Sequence, residues 1–175
     1  MNYKEIIVFN PFVSDEYFST TLKELSRVRF HFGAISTNPK LPIWHGEVSK
    51  QSVAIQLALK TVRGITRKDF DLVSCHINLQ THGLDGAFHT DDNDPNGDVT
   101  HALNWYVHPY DWPVEFGGYL LIGDNQQNLR AILPKQNSAV FFPANFLHCA
   151  TAPFLSAGSL ARISLALKLR LNHDI

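Results

Sequence analysis

The sequence predicts an α+β domain: a sheet sandwich or barrel with helices packed on one face. Three observations carry this. Apolar residues recur at a helical period in two stretches before residue 70. From residue 70 the period shortens to two, and short apolar runs follow one another to the end of the chain. Turn-rich segments at Asp92–Asp98, His108–Pro113 and Gly123–Asn128 separate those runs. A chain of 175 residues fits a single domain, 1–175, with helical support over about 1–69 and the sheet core over about 70–170.

Taken in order, Ile6–Phe9 is a short apolar run closed by Asn10-Pro11, which predicts a strand. Ser14 or Asp15 can cap the helix that follows, with Phe18, Leu22 and Leu25 at helical spacing. The stretch Phe30–Pro42 is mixed and broken by Gly33, Pro39 and Pro42. A second helix is predicted over Val48–Val62, stopped by Gly64. Leu72, Ser74, His76 and Asn78 then alternate with Val73, Cys75, Ile77 and Leu79, the signature of a strand with two different faces. Further strands are predicted at Ala102–Val107, Tyr119–Ile122, Ala139–Phe142, Leu147–Ala150 and Arg162–Leu169.

Composition narrows the function classes. Hydrophobic residues make up 45% and charged residues 18%, which excludes a disordered chain. The formal net charge of -1 gives no reason to expect nucleic acid or an anionic membrane as partner. Two cysteines, Cys75 and Cys149, do not form a disulfide framework, so a reducing, cytoplasmic setting is expected. The start MNYKEIIVFNPF lacks the basic and apolar regions of a signal peptide, and no apolar run reaches the length of a membrane span.

The chemistry concentrates in His89-Thr90-Asp91, His148 and Arg162. On a strand, residues i and i+2 face the same side, so His89 and Asp91 can point at one ion. Two imidazoles and a carboxylate cap one face of an Fe(II) ion and leave the other open. His148, on a neighbouring predicted strand, can complete the set. Arg162 opens a strand that puts Arg162, Ser164, Ala166 and Lys168 on one face and Ile163, Leu165, Leu167 and Leu169 on the other. If the polar face lines an interior, an anion is needed to offset the buried charge.

These residues sit among further motifs: the loop Asp94-Pro-Asn-Gly-Asp98, Asn104-Trp-Tyr106, Asp111-Trp112, Phe116-Gly117-Gly118-Tyr-Leu and Phe141-Phe-Pro. In that order, over roughly residues 70–170, the chain resembles the prolyl-hydroxylase branch of the 2-oxoglutarate/Fe(II) oxygenases, and the start Ile-Ile-Val-Phe-Asn-Pro-Phe is also similar. The resemblance implies a double-stranded β-helix (jelly roll) with the N-terminal helices on one sheet. It implies Fe(II) on His89, Asp91 and His148, and 2-oxoglutarate held by Arg162 and Tyr106, with Ser164 and Lys168 as further cosubstrate candidates. O2 is the second cosubstrate and ascorbate a reductant. Asn78, Gln80, Trp112 and Asp92 are expected at the substrate cleft. The implied reaction hydroxylates an unactivated C–H bond of a prolyl residue in a protein or peptide, or of a free amino acid.

The chain departs from that family in places. Where members carry a Tyr on the strand before the first ligand, this chain offers His76, Asn78, Gln80 and His82. Tyr119 stands where an acidic residue commonly follows the paired glycines, and a longer stretch between His148 and Arg162 leaves room for a loop at Ala152–Gly158. Arg162-x5-Lys168 approaches the Arg-x5-Arg of the alkylation-repair demethylases, a rival enzyme reading that the neutral charge disfavours. A jelly-roll binding module is the non-enzyme alternative. Two decoys are set aside. His45-Gly-Glu47 is expected at a helix start, ahead of the sheet. Asp92–Asp98 begins like a calcium loop but has Leu103 where an EF-hand needs a bidentate Glu. Trp105, Trp112, Phe141 and Phe142 are expected to pack in the core or at its rim, with Trp112 also able to reach substrate, and Cys149 is expected in the core.

Overall fold

The computed structural model describes residues 5–33, 41–93, 97–123 and 128–172. In chain order its elements are β1 (Ile7–Phe9), α1 (Asp15–Leu25), β2 (His31–Gly33), β3 (Ile43–Glu47), α2 (Val53–Thr66), β4 (Phe70–Gln80), β5 (His101–Tyr106), β6 (Leu120–Gly123), β7 (Arg130–Ile132), β8 (Ala139–Pro143), β9 (Leu147–Ala150) and β10 (Arg162–Leu171). Seven strands form the larger sheet in the order β1-β8-β5-β10-β4-β3-β2, and three form the smaller one in the order β7-β6-β9. The pairings are antiparallel throughout. The two sheets face each other as a jelly roll, and both helices cover the outer face of the larger one.

Alternation builds this arrangement. On β5, Leu103 and Trp105 point outward and pack with Phe18, Ile55 and Leu59 of the helices. Ala102 and Tyr106 point inward and meet Leu120 and Ile122 of the smaller sheet. β10, the central strand, repeats the scheme with Leu165 and Leu167 outward. Trp105 is fully buried, with the Phe12 ring edge-on at 5.2 Å and its indole N–H donating to Asn137 Oδ1 at 3.3 Å.

The helices are tied to each other as well as to the sheet. α2 is capped by Ser52, whose hydroxyl accepts from the Ile55 N–H at 3.2 Å. Glu24 of α1 accepts from the Val53 and Ala54 N–H groups at 3.1 and 2.8 Å, so a carboxylate on one helix meets the positive end of the other. This capping sets the start of α2 at Val53, later than the expected Val48. The helix also runs through Gly64, which sits on an open face, because Val62 and Thr66 on either side are buried. It stops at Arg67, in the left-handed conformation.

Three strands were not legible in the sequence: β2, β3 and β7. β3 corrects one expectation directly. His45-Gly-Glu47 is part of a strand, with His45 opposite Asn78 and Glu47 opposite His76. The hydrogen bonds that hold this short, glycine-containing segment come from β4, which sequence periodicity does not see. A second correction lies on β4, where the register to β10 jumps from Lys168↔Ser74 to Leu169↔Leu72. The unpaired Val73 reverses the alternation, so Leu72 joins the outer core and leaves the polar face it was assigned to. Among the described residues no helix is long and apolar enough to cross a membrane.

Gly46 supplies a test of the packing under β3. A Cβ there would lie 2.5 Å from Val28 Cγ1 and 2.9 Å from the Arg29 carbonyl oxygen, and a backbone oxygen has little room to move. Gly46→Ala should therefore cost about 1–3 kcal/mol in chemical denaturation. Unchanged stability would show that the β2–β3 hairpin is looser than its contacts imply.

Candidate metal centre and anion pocket

The inward face of β10 carries Arg162, Ser164, Ala166 and Lys168, as its alternation predicts. Across from these on β4 stand Gln80, Asn78, His76 and Ser74 in register. Asn104 of β5 lies opposite Ala166. Together they floor a cleft of about 520 Å³ between the sheets. His89, Asp91 and His148 line its other wall, while Leu41 and Ile43 stand at its β3 side.

Main-chain pairing assembles the three candidate metal ligands. His89 and His148 exchange both backbone hydrogen bonds, each at 3.0 Å, so their side chains leave the same face side by side. The first ligand sits on an isolated bridge of this kind and not within a full strand. The Asp91 N–H donates to the Ala144 carbonyl at 2.7 Å, which holds the second ligand two residues on. Asp91 Oδ1 lies 3.7 Å from His89 Nε2, and Oδ2 lies 3.6 Å from His148 Nε2. Donor atoms of all three residues fall within 4.8 Å of one another, the sole such group among the described residues.

The ring chemistry suits a cation. His89 Nδ1 is 2.8 Å from the Ala87 carbonyl, and His148 Nδ1 is 2.9 Å from the Phe146 carbonyl. A carbonyl can only accept, so each Nδ1 carries the proton and each Nε2 presents a lone pair toward Asp91. Burial pushes the His148 imidazole down to about 4, against the pull of the Asp91 carboxylate. At neutral pH it is uncharged, the form that binds a metal. Lys168 Nζ pairs with Asp91 Oδ1 at 3.2 Å. The structure thus places Lys168 beside a candidate ligand and several residues along the strand from Arg162, away from the expected cosubstrate anchor.

Arg162 marks the far end of the cleft. It is buried, its Cζ sits 5.1 Å from the Tyr106 ring centroid, and one Nη donates to Gln80 Oε1 at 2.6 Å. Its Nε and the Tyr106 hydroxyl are both buried without a hydrogen-bond partner among the described residues. Burial raises the Tyr106 phenol, so it remains a neutral donor. Paired glycines make the space: Gly117 and Gly118 both have positive φ, and a Cβ on Gly118 would come within 3.3 Å of Arg162 Cδ. A buried guanidinium and a phenol, each with an unused donor, form a receptor for a carboxylate.

Several expected residues fall elsewhere. Ser164 and Asn78 line the cleft, and Asn78 Oδ1 is buried without a partner among the described residues. Gln80 lines it at the Arg162 end, bound to the arginine. Trp112 does not line the cleft. It is buried, donates to the Gly117 carbonyl at 2.9 Å, and packs on His108 at 4.8 Å. Asp92 is exposed and outside the lining, where Asn93 appears in its place, and residues 94–96 of that loop lie outside the described residues. Leu103, which stands where an EF-hand needs its Glu, is fully buried on β5. Cys149 is buried, as expected. His76, one of the candidates for the missing Tyr, lines the cleft, whereas sequence reasoning missed Asn104, although its period-2 spacing from Tyr106 carried the signal.

It also missed His108, fully buried against Tyr110 and Trp112 with no hydrogen bond to either ring nitrogen among the described residues. Burial, and then the positive charge of Arg162, push it down to about 3 from an ordinary 6.5. The folded chain therefore favours neutral His108. That stabilisation is complete above pH 6.5 and is lost as pH falls toward 3. At about 1.4 kcal/mol per pH unit, acidification from pH 6.5 to pH 5 should cost about 2 kcal/mol through this group. His108→Phe should flatten the acid side of the stability–pH curve by about one proton, measured by urea unfolding across pH.

No family model and no curated protein matches the chain. Solved structures do. A prolyl-4-hydroxylase from Pseudomonas putida aligns over 98% of this chain and 95% of its own at 13% identity, with a TM-score of 0.69. A Trichoplax adhaerens prolyl hydroxylase, solved with a peptide fragment of the hypoxia inducible factor oxygen degradation domain, aligns over 96% and 84% at 17% identity and TM-score 0.73. An oxidoreductase of the 2OG-Fe(II) oxygenase family from Burkholderia pseudomallei aligns over 94% and 84% at 11% identity and TM-score 0.72. At these identities the likeness establishes the fold: this chain shares the jelly roll of those oxygenases across nearly its whole length.

Proposed function

We propose that the chain, acting as one domain, is an Fe(II)- and 2-oxoglutarate-dependent dioxygenase that hydroxylates an unactivated C–H bond of a prolyl residue in a protein or peptide. One observation carries the reading. A three-donor set and a buried arginine that no carboxylate pairs with among the described residues stand at two ends of one cleft.

The residues present fit the groups this requires. Two imidazoles and one carboxylate are a donor set for Fe(II) that leaves coordination positions open. The orphaned Arg162 Nε and Tyr106 hydroxyl fit the distal carboxylate of 2-oxoglutarate. When bound, iron, 2-oxoglutarate and O2 supply the oxidation, in which the keto acid is decarboxylated to succinate and one oxygen atom enters the substrate C–H bond. The protein's own share is positional. His89, Asp91 and His148 would hold the metal, with the Lys168 ammonium orienting the Asp91 carboxylate. Arg162 and Tyr106 would hold the cosubstrate. The apolar wall of Leu120, with Leu41 and Ile43, would exclude water from the reacting carbon. The prolyl assignment draws on the prolyl-hydroxylase names of two structural neighbours, one of them solved with a peptide.

The direct test is succinate formation with Fe(II), 2-oxoglutarate and O2, screened over proline-containing peptides and free proline. His89→Ala or Asp91→Ala should abolish turnover and metal-dependent 2-oxoglutarate decarboxylation; retained decarboxylation in either variant excludes that residue as a ligand. Arg162→Ala should weaken 2-oxoglutarate binding by about 2–5 kcal/mol, read by calorimetry, because a desolvated charge pair loses one member. An unchanged Kd would remove Arg162 from the cosubstrate site.

A further inference from the structure

Gln80 does more at the Arg162 end of the cleft than line it. The residue is buried, and its amide direction is determined by its surroundings. Gln80 Nε2 donates to the Leu84 carbonyl at 2.8 Å and the Ala150 carbonyl at 3.3 Å. Both partners can only accept, so the nitrogen must face them and Oε1 must face the guanidinium, 2.6 Å away. The three contacts join four parts of the site. Gln80 ends β4, Leu84 leads toward His89, Ala150 follows His148 on β9, and Arg162 opens β10.

Chemistry makes the choice of an amide significant. Among the described residues no carboxylate pairs with Arg162, whose near neighbours are this amide and the face of Tyr106. A glutamate at position 80 would reach the same Nη but would cancel the charge, and it could donate to neither carbonyl. We propose that Gln80 is a positioning residue for Arg162: it fixes the direction of the guanidinium with a neutral acceptor and leaves its positive charge available to a carboxylate ligand. The neutrality of position 80 is then a determinant of dicarboxylate affinity. That the ligand is a dicarboxylate, and which one, rests on the oxygenase reading; its carboxylate at Arg162 does not.

The test compares Q80E and Q80M in the full chain, titrated calorimetrically with 2-oxoglutarate and with glutarate in the presence of Mn(II), with a thermal melt of each variant. Q80M loses all three hydrogen bonds but adds no charge; Q80E keeps the contact to Arg162 and neutralises it. The expected affinity order is wild type, then Q80M weaker by about tenfold, then Q80E weaker by on the order of 100-fold. A purely structural role predicts the reverse order, since Q80M leaves more buried groups unpaired and should melt lower. Q80E binding as well as Q80M therefore overturns the proposal. If Q80M does not fold, Q80E within about threefold of wild type overturns it equally well. Glutarate losing affinity in the expected order, with no added metal-dependent affinity for 2-oxoglutarate in wild type, keeps the Gln80 assignment and removes the oxygenase reading. No affinity of wild type for either acid overturns both.

Discussion

The two-faced strand β10 is the constraint on which the rest of the structure depends. It pairs with β4 from Arg162 to Leu171 on one edge and with β5 from Ser164 to Leu169 on the other. It cannot shift by one residue without sending Arg162 and Lys168 into the helical core and Leu165 and Leu167 into the cleft. Each misplaced charge would cost several kcal/mol, and each exposed leucine would forfeit its burial. That penalty locks the register, and the register sets the rows that cross the larger sheet. Arg162 meets Gln80, Ser164 meets Asn78 and Tyr106, Ala166 meets His76 and Asn104, and Lys168 meets Ser74. The helices outside and the polar cleft inside are two consequences of one alternation.

The candidate metal centre hangs on this frame by main-chain bonds. His89 and His148 are far apart in sequence, yet a single exchanged pair of backbone hydrogen bonds sets them side by side. Backbone carbonyls two residues upstream then fix the tautomer of each ring. Such a centre needs little from the identity of nearby side chains, because a carbonyl is available at every position. Lys168 adds a charged partner for Asp91 from the opposing sheet, so the three-donor set belongs to both halves of the jelly roll.

The other end of the cleft is organised by polar groups without partners among the described residues. The Arg162 Nε, the Tyr106 hydroxyl and the Asn78 carbonyl oxygen are all shut off from solvent. Buried polar atoms are rarely left unpaired in folded chains, so two on the cleft lining, with the Tyr106 hydroxyl on a ring packed against Arg162, point to a polar ligand. His108 lies behind them, held neutral by burial and by the adjacent guanidinium. A second positive charge there would raise the cost of an already buried arginine. The stability given up in orphaned groups of this kind is the usual mark of a binding site.

How much of this was legible can be read from particular residues. The fold class, both helices, β1 and the strands beyond residue 70, except β7, follow from hydrophobic periodicity and short apolar runs bounded by turn residues. β3 stayed hidden because five residues with an internal glycine have no strand signal apart from their partner. The Val73 bulge was invisible for the same reason: register is a property of two strands. The motif His89-Thr90-Asp91 named two donors, the alternation of β10 put Arg162 on its polar face, and the family resemblance aimed that face at a ligand. Gln80, His108 and the role of Lys168 required the packed chain. Gln80 is one more polar residue on an alternating strand until Leu84, Ala150 and Arg162 close around its amide. His108 is an ordinary histidine until burial neutralises it. By itself the sequence determined which residue types could carry the chemistry and which way the long strands face, since both are local. Only the tertiary structure decided which of them meet, and hence their charge and hydrogen-bonding state, because those depend on neighbours brought in from distant parts of the chain.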